Sequence, residues 1–351
     1  MKSKSGKSLK IFITGINGFI GSHLTEAIFT QTDWRVSGFD MRSDNLDELL
    51  RSDNFVSFKQ GDIFDKEYRA YIKKQIKWCD VALPLAGIAK PAYYLKKPLW
   101  TFELDFEQNL KIVRACVDLG KRLIFPSTSE VYGMNDGGEL LEDTSPLTVG
   151  PVSKTRWIYS CSKQMMDRII FAYGQERDLR FSIFRPFNWT GPRLDTFEDA
   201  KEGTARVVTQ MIYDILNRGG VTLVGGGSHR RSFTWIGDAT DALLRVIAND
   251  SGRADGEIFN IGNPANNCSI KELAETLIDE MKRIPAFSER ASRAVLKDMS
   301  AGDFYGSAYD DMRDRVPSVS KIEHTLGWSP STPTKDILRM TAEYYAHSGV
   351  L

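Results

Sequence analysis

Short apolar runs alternate with longer amphipathic ones through the first half of the chain. Residues 10–14, 35–40, 56–60, 81–85, 122–127 and 181–187 have the length and the branched or aromatic content of strands. Between them, residues 23–31 set Leu24, Ala27 and Ile28 on one helical face, and helical spacing is clearest over 102–119 and 157–173. Strands separated by helices predict right-handed β-α-β units, hence a parallel sheet with helices on both faces. After Pro186 the rhythm loosens, with Gly191-Pro192, Gly219-Gly220 and Gly225-Gly226-Gly227 between shorter elements. Residues 269–281 read as a later helix, capped by Ser269 with Glu272 three positions on. The expected fold is α/β: a doubly wound parallel sheet over residues 1–187, with segments near 232–262 returning to it, and a smaller mixed α/β substrate-binding domain mainly over 188–351.

The 351 residues carry 46 Lys+Arg against 46 Asp+Glu. Zero net charge leaves no excess of cations for a phosphate backbone or an anionic membrane, so no nucleic-acid partner is expected. The basic residues 1–10 lead into Ile11-Phe12-Ile13 like the opening of a signal peptide, but Thr14-Gly15 and Asn17-Gly18 break the apolar run too early. No stretch approaches the roughly 20 apolar residues that span a bilayer, so membrane insertion is not expected either. Cys79, Cys116, Cys161 and Cys268 are scattered, as are His23, His229, His324 and His347. That spacing offers neither a disulfide framework nor a metal knuckle, and points to a reducing cytoplasm without metal catalysis.

The first candidate chemistry is Gly15-Ile16-Asn17-Gly18-Phe19-Ile20-Gly21, a GxxGxxG loop between a predicted strand and a predicted helix. Glycines there allow a tight turn, close approach of backbone to a pyrophosphate, and close helix–strand packing, which is the Rossmann arrangement. The helix start adds free N–H groups and the positive end of its dipole. Gly15, Asn17, Gly18, Phe19, Ile20 and Gly21 are therefore candidate dinucleotide contacts, although a packing loop alone has the same pattern. Asp40 ends the next strand, 19 residues after Gly21, where a carboxylate accepts from a ribose 2′-OH. Asp40 favours NAD over NADP, an argument softened by nearby Arg42. Asp62 and Ile63 follow a further strand and are candidates for the adenine end, or for an ordinary surface turn.

Tyr159 and Lys163 stand at i and i+4 on one predicted helix face. A tyrosine with a pKa of about 10 is a weak base near neutrality, and a neighbouring ammonium favours its phenolate. Such a phenolate can take the proton of a sugar hydroxyl as hydride leaves for NAD. YxxxK alone arises readily by chance; the upstream glycine loop is what gives it weight. Ser127-Thr128-Ser129-Glu130 follows a strand end directly, where α/β sheets gather their sites. Thr128 or Ser129 can bond the reacting hydroxyl and Glu130 can act as acid or base, or the segment is merely a Ser/Thr-rich turn.

With these motifs the chain resembles the extended short-chain dehydrogenase/reductase superfamily, and within it the UDP-glucuronic acid decarboxylases. It looks closest to the decarboxylase half of the bifunctional polymyxin-resistance enzymes. The resemblance rests on Phe125-Pro-Ser-Thr-Ser-Glu-Val-Tyr-Gly133, Arg156-Trp-Ile-Tyr-Ser160, Arg185-Pro-Phe-Asn-Trp189, Gly191-Pro-Arg-Leu-Asp195, Gly256-Glu-Ile, Asn260-Ile-Gly-Asn-Pro264, and Arg315 with Pro317-Ser318. It runs from residue 10 to about 330, and no formyltransferase half accompanies it, so a stand-alone relative is expected.

The resemblance implies Tyr159 as redox base with Lys163 as partner, Thr128 and Ser129 at the sugar, and Glu130 and Arg315 serving decarboxylation. It implies Ala89, Tyr94, Arg156, Asn188, Arg206, Arg231 and Tyr309 around UDP-glucuronic acid, NAD as cofactor, and a homodimer through a four-helix bundle. The product is UDP-4-keto-pentose if NADH leaves early and UDP-xylose if hydride returns; the resemblance favours the ketone. Sugar 4,6-dehydratases carry an Asp where Ser129 stands, and UDP-apiose/xylose synthases carry cysteines where Ala89 and Ser129 stand, so both are disfavoured. Lys90 and Thr222 depart from the pattern's threonine and lysine and bear on affinity. A UDP-uronic acid 4-epimerase and a non-catalytic NAD-sensing regulator are the rival readings.

Overall fold

The computed structural model describes residues 8–135, 137–300, 312 and 314–348. Among them, seven strands make the central sheet: β1 (Lys10–Thr14), β2 (Arg35–Asp40), β3 (Phe55–Gln60), β4 (Val81–Pro84), β5 (Arg122–Pro126), β6 (Phe181–Pro186) and β7 (Glu257–Ile261). Their order is β7-β6-β5-β4-β1-β2-β3, and every pairing is parallel. This is the expected Rossmann-type α/β sheet. The order reverses between β1 and β4, which opens a crevice at their carboxyl ends, the place where such sheets bind ligands.

Near-continuous apolar strands are what a sheet covered on both faces requires. Side chains alternate along each strand, so Ile11 and Ile13 of β1, Ile124 of β5 and Phe184 of β6 enter one core, while Phe12, Leu123, Phe125, Phe181 and Ile183 enter another. The first core is closed by helices α1 (Phe19–Gln31) and α6 (Ile236–Ala248), through Leu24, Ile28, Leu243 and Ile247. The second is closed by α2 (Arg69–Trp78), α3 (Asn109–Asp118) and α4 (Trp157–Arg177), through Ile76, Ile112, Met166 and Ile170. A third core, built on Ile212, Leu277 and Leu338, joins α5 (Val207–Asn217), α7 (Ile270–Lys282) and α8 (Thr334–His347).

Three expectations change at their edges. The first helix starts at Phe19 rather than His23, because Gly18 already serves as its N-cap. The helical stretch over 102–119 is not uniform: Pro98–Phe102 gives way to a π-helical segment, Glu103–Gln108, before α3. The α4 helix runs on to Arg177, ending on Asp178 in the left-handed conformation. The Ser269–Glu272 capping box is present, with Ser269 accepting from the Glu272 N–H and Glu272 from the Ser269 N–H.

Candidate active site

The glycine loop lies in the crevice at the switch point. Gly15 has φ +74°, and a Cβ there would stand 2.5 Å from the Ala86 nitrogen on the loop leaving β4. A Cβ on Gly21 would meet the Gly15 carbonyl at 2.5 Å and Ile16 Cα at 2.6 Å, so α1 packs on the loop backbone itself. No side chain caps α1 and no acidic residue occupies its first turn. Its N–H groups are thus open to an anion, and the cradle fits a dinucleotide pyrophosphate. Phe19 and Ile20 begin α1, and the Arg206 guanidinium lies 5.5 Å from the Phe19 ring.

Asp40 closes the other side of the cradle, accepting from the Asn17 N–H (2.8 Å) and the Arg42 N–H (3.2 Å). Burial pushes its carboxyl upward, against those two bonds. The Arg42 side chain is paired with Asp44, at 2.9 and 2.8 Å, and the same Asp44 carboxylate accepts from the Asn17 side-chain amide at 3.2 Å. Asp62 folds onto the Phe64 N–H at 2.9 Å, and Ile63 packs against the second core.

Beyond the crevice, Tyr159 and Lys163 are buried on α4. Tyr94 stacks on Tyr159 with centroids 4.4 Å apart and planes 9° off parallel, and Thr128 and Tyr94 hydrogen-bond its phenol. Lys163 donates to the Pro126 carbonyl (2.9 Å) and pairs with the buried Asp105 carboxylate (3.2 Å). The consequence for Tyr159 runs against the expectation from Lys163 alone. Burial, then Asp105, then Glu130 hold the phenol far above its ordinary range, and the Thr128 and Tyr94 bonds offset only part of this.

The turn after β5 brings the remaining chemistry alongside. Thr128 caps a short turn over Ser129–Tyr132 by accepting from the Glu130 N–H at 3.2 Å. Ser129 is buried, and Glu130 lies between two buried arginines, Arg156 at 3.0 Å and Arg315 at 3.6 Å. These three groups line one small cavity with Gly133, Trp157 and Met312. A chain of buried bonds supports the turn from behind. Ser127 donates to Asp167 (2.9 Å), which also accepts from Arg185 (3.1 Å), and Arg185 reaches the Tyr132 hydroxyl (2.9 Å).

The other implied sugar-nucleotide contacts are more dispersed. Ala89 is exposed beside Lys90. Asn188, with φ +39°, donates to the Ser232 carbonyl at 3.1 Å. Arg231 is buried in a short strand, Arg230–Ser232, paired with Asn267–Ser269. Arg206 is held by Asp195, which accepts from its backbone N–H (2.8 Å) and its Nε (3.1 Å). Lys90 joins that group at 2.7 Å from Asp199 and 3.6 Å from Asp195. Thr222 sits in the strand Gly220–Val224, and Tyr309 lies outside the described residues. Asp105 goes unmarked in the sequence, and Lys90 and Asp195 stand there only through the resemblance, with nothing in the spacing to mark their pairing.

Residues 11–262 match the family described as NAD dependent epimerase/dehydratase family. The chain belongs to that family. NAD is the family's cofactor, and the glycine cradle with Asp40 fits it. The chain is also similar to the PbgP3 protein from Burkholderia pseudomallei, with 45% identity, 97% of each chain covered and a TM-score of 0.86. Its fold is shared with a dTDP-glucose 4,6-dehydratase, DesIV from Streptomyces venezuelae, at 22% identity over 97% of this chain and 98% of that one, TM-score 0.79. A UDP-glucuronic acid 4-epimerase from Bacillus cereus has it too, at 23% identity over 96% and 99%, TM-score 0.78. No helix among the described residues is long and apolar enough to cross a membrane.

Proposed function

We propose that the protein is an NAD-dependent decarboxylase of UDP-glucuronic acid, working by C4 oxidation followed by loss of the C6 carboxylate. The observation that carries this reading is Glu130 held between Arg156 and Arg315, in the turn that Thr128 caps and near enough for its charge to act on the Tyr159 phenol. NAD, bound in the glycine cradle, supplies the acceptor for the C4 hydride. Tyr159 takes the C4 hydroxyl proton while Thr128 and Ser129 hold that hydroxyl. Oxidation leaves a ketone β to the carboxylate, so the C5–C6 bond can break with its electron pair delocalised onto the C4 oxygen and carbon dioxide released. Arg315 and Arg156 offset the negative charge of this enolate, and Glu130 relays to C5 a proton equivalent to the one Tyr159 removes from the C4 hydroxyl. Ala89, Tyr94, Asn188, Arg206, Arg231 and Tyr309 complete the UDP-sugar site.

The favoured product is UDP-4-keto-pentose, with re-reduction to UDP-xylose decided by how fast NADH leaves. The setting we assign is the cytoplasm, and the assembly a homodimer. Met165 and Phe171 of α4 are 51% and 46% exposed and Leu99 is 70% exposed, an apolar surface suited to pairing these helices across a two-fold. The test is to mix protein, UDP-glucuronic acid and excess NAD and to follow carbon dioxide and NADH absorbance together. Carbon dioxide matched by NADH means release of the ketopentose, and carbon dioxide without NADH means UDP-xylose. Absence of both signals sinks the decarboxylase reading and moves the 4-epimerase and NAD-sensing regulator readings ahead. Unchanged turnover in Tyr159→Phe would sink the hydride chemistry altogether.

A further inference from the structure

One charged group at the centre of the site has no part in the chemistry just described. Asp105 lies on the π-helical segment Glu103–Gln108 with its side chain 1% exposed. One carboxylate oxygen accepts from the Ile88 N–H at 3.1 Å, on the loop leaving β4. The other stands 3.2 Å from the Lys163 ammonium. Space for it is made by Gly87, where a Cβ would come within 2.6 Å of that oxygen. One turn on, Asn109, the first residue of α3, donates to the Ala86 carbonyl at 3.0 Å, so side chains of the π segment and of α3 pin the same loop. Widened π turns recur in helices where a side chain must be aimed at a functional group.

We propose that Asp105 is a positioning residue of the Tyr159–Lys163 pair, fixing the Lys163 ammonium and opposing its field at the phenol, so that it governs the pH at which Tyr159 can act as a base. A buried carboxylate beside a buried lysine gains little for stability over an apolar pair, and the Ile88 N–H needs only an acceptor, so the negative charge itself points to an electrostatic role. The groups that face Tyr159 come from four elements. They are Asp105 from the π segment, Tyr94 from the helix Pro91–Lys96, Thr128 and Glu130 from the turn after β5, and Lys163 from α4 itself, with Arg156, the residue before α4, acting on the stacked Tyr94. Lys163 faces Asp105, the Pro126 carbonyl and the more distant Asp167. Of these, Asp105 is the anion in direct contact with the ammonium, and burial raises its own carboxyl while Lys163 pulls it down.

The proposal rests on Tyr159 as the base, and its test separates the two. Asp105→Asn keeps the shape and an acceptor for Ile88 while removing the charge; Asp105→Ser serves if the amide does not fold. In the full chain without substrate or NAD, the near-ultraviolet phenolate signal of Tyr159 is taken as the difference from the matching Tyr159→Phe protein. It should appear in Asp105→Asn at a pH lower by about 1 unit or more than in the parent. The acid limb of the kcat profile with UDP-glucuronic acid should move down by a similar amount, with KM little changed. A phenolate signal that gains nothing in Asp105→Asn up to alkaline unfolding overturns the proposal, as does an acid limb that stays in place. If UDP-glucuronic acid is not turned over, the decarboxylase reading falls while the phenolate titration still decides the role of Asp105.

Discussion

Arg315→Met separates the two halves of the proposed reaction. Methionine keeps much of the buried stem and removes a guanidinium that stands 3.6 Å from Glu130. At an effective dielectric of about 20, two unit charges at that distance attract by about 4–5 kcal/mol before desolvation is counted. Removing a preorganised donor that faces a developing oxyanion costs about 3–4 kcal/mol in measured cases, or two to three orders of magnitude in rate. Carbon dioxide release should therefore fall by about 100-fold or more. Glu130 keeps Arg156 at 3.0 Å, so the variant does not leave a buried carboxylate without a cation and the fold should persist. Hydride leaves C4 before the C5–C6 bond breaks, so the first turnover should still produce NADH. The assay is rapid mixing with UDP-glucuronic acid and NAD, reading NADH absorbance and trapped carbon dioxide from the same syringe. NADH forming normally with carbon dioxide delayed is the expected result. A loss of carbon dioxide smaller than about tenfold, in a protein with parental Tm, would refute the assignment of Arg315 to the charge-stabilising step. So would NADH and carbon dioxide failing together.

Gly15→Ala forces a side chain onto a φ of +74° and into the Ala86 backbone, so NAD affinity by calorimetry should collapse; affinity within twofold of the parent would refute the cradle. Met165→Asp places a charge on the exposed apolar face of α4, and light scattering should then report half the parental mass; a parental mass argues against helix pairing there. His23 is held down to about 4 by burial and then Arg193, against an unfolded value of about 6.5. A folded pKa below the unfolded one means the unfolded chain binds the extra proton, so His23 withdraws stability as pH falls from 6.5 to 4, by no more than about 3 kcal/mol. His23→Gln should flatten that part of the Tm–pH curve, and parallel curves for the two proteins would refute the account. Arg122→Met removes the guanidinium that binds Asp255 and the Val246 and Ile247 carbonyls at the end of α6; by urea unfolding it should cost about 3–5 kcal/mol, and a loss under 1 would refute that role.

What could be read from the chain is what short-range physics writes into it. Six strands of the sheet are apolar runs between turn residues, the cradle needs glycine at Gly15 and Gly21 because backbone passes within contact, and Ser269 caps its helix with Glu272 from three residues away. Tyr159 and Lys163 were legible because both stand on one helix. Asp105 was not, since it meets Lys163 across 58 positions and within a local π geometry that no residue type announces. The sign of the effect on Tyr159 failed for the same reason: the lysine was visible and its counter-ion was not. Lys90 showed as a departure from a pattern, but its partners Asp195 and Asp199 emerge only once the loop after β4 and the segment before α5 are side by side. The β7 strand, Glu257–Ile261, is short and flanked by polar turns, so the sequence suggests a return to the sheet near 232–262 while its bounds and its place beside β6 come from the pairing.

That pairing sets a constraint on the order in which the molecule is made. Five residues of β7 lie in register against β6, the Gly256 N–H reaches the Phe181 carbonyl at 2.7 Å, and the Ile261 carbonyl accepts from the Phe187 N–H and the Trp189 indole. During synthesis the first six strands emerge well before the seventh, and for some 70 residues β6 is an open hydrogen-bonding edge with an apolar face. A chain cut after the sixth strand would keep the glycine cradle and the Tyr159 helix yet present that edge permanently to its neighbours. The long return to the sheet acts as a lock on completion: the whole segment between the sixth and seventh strands must be translated before that edge is covered.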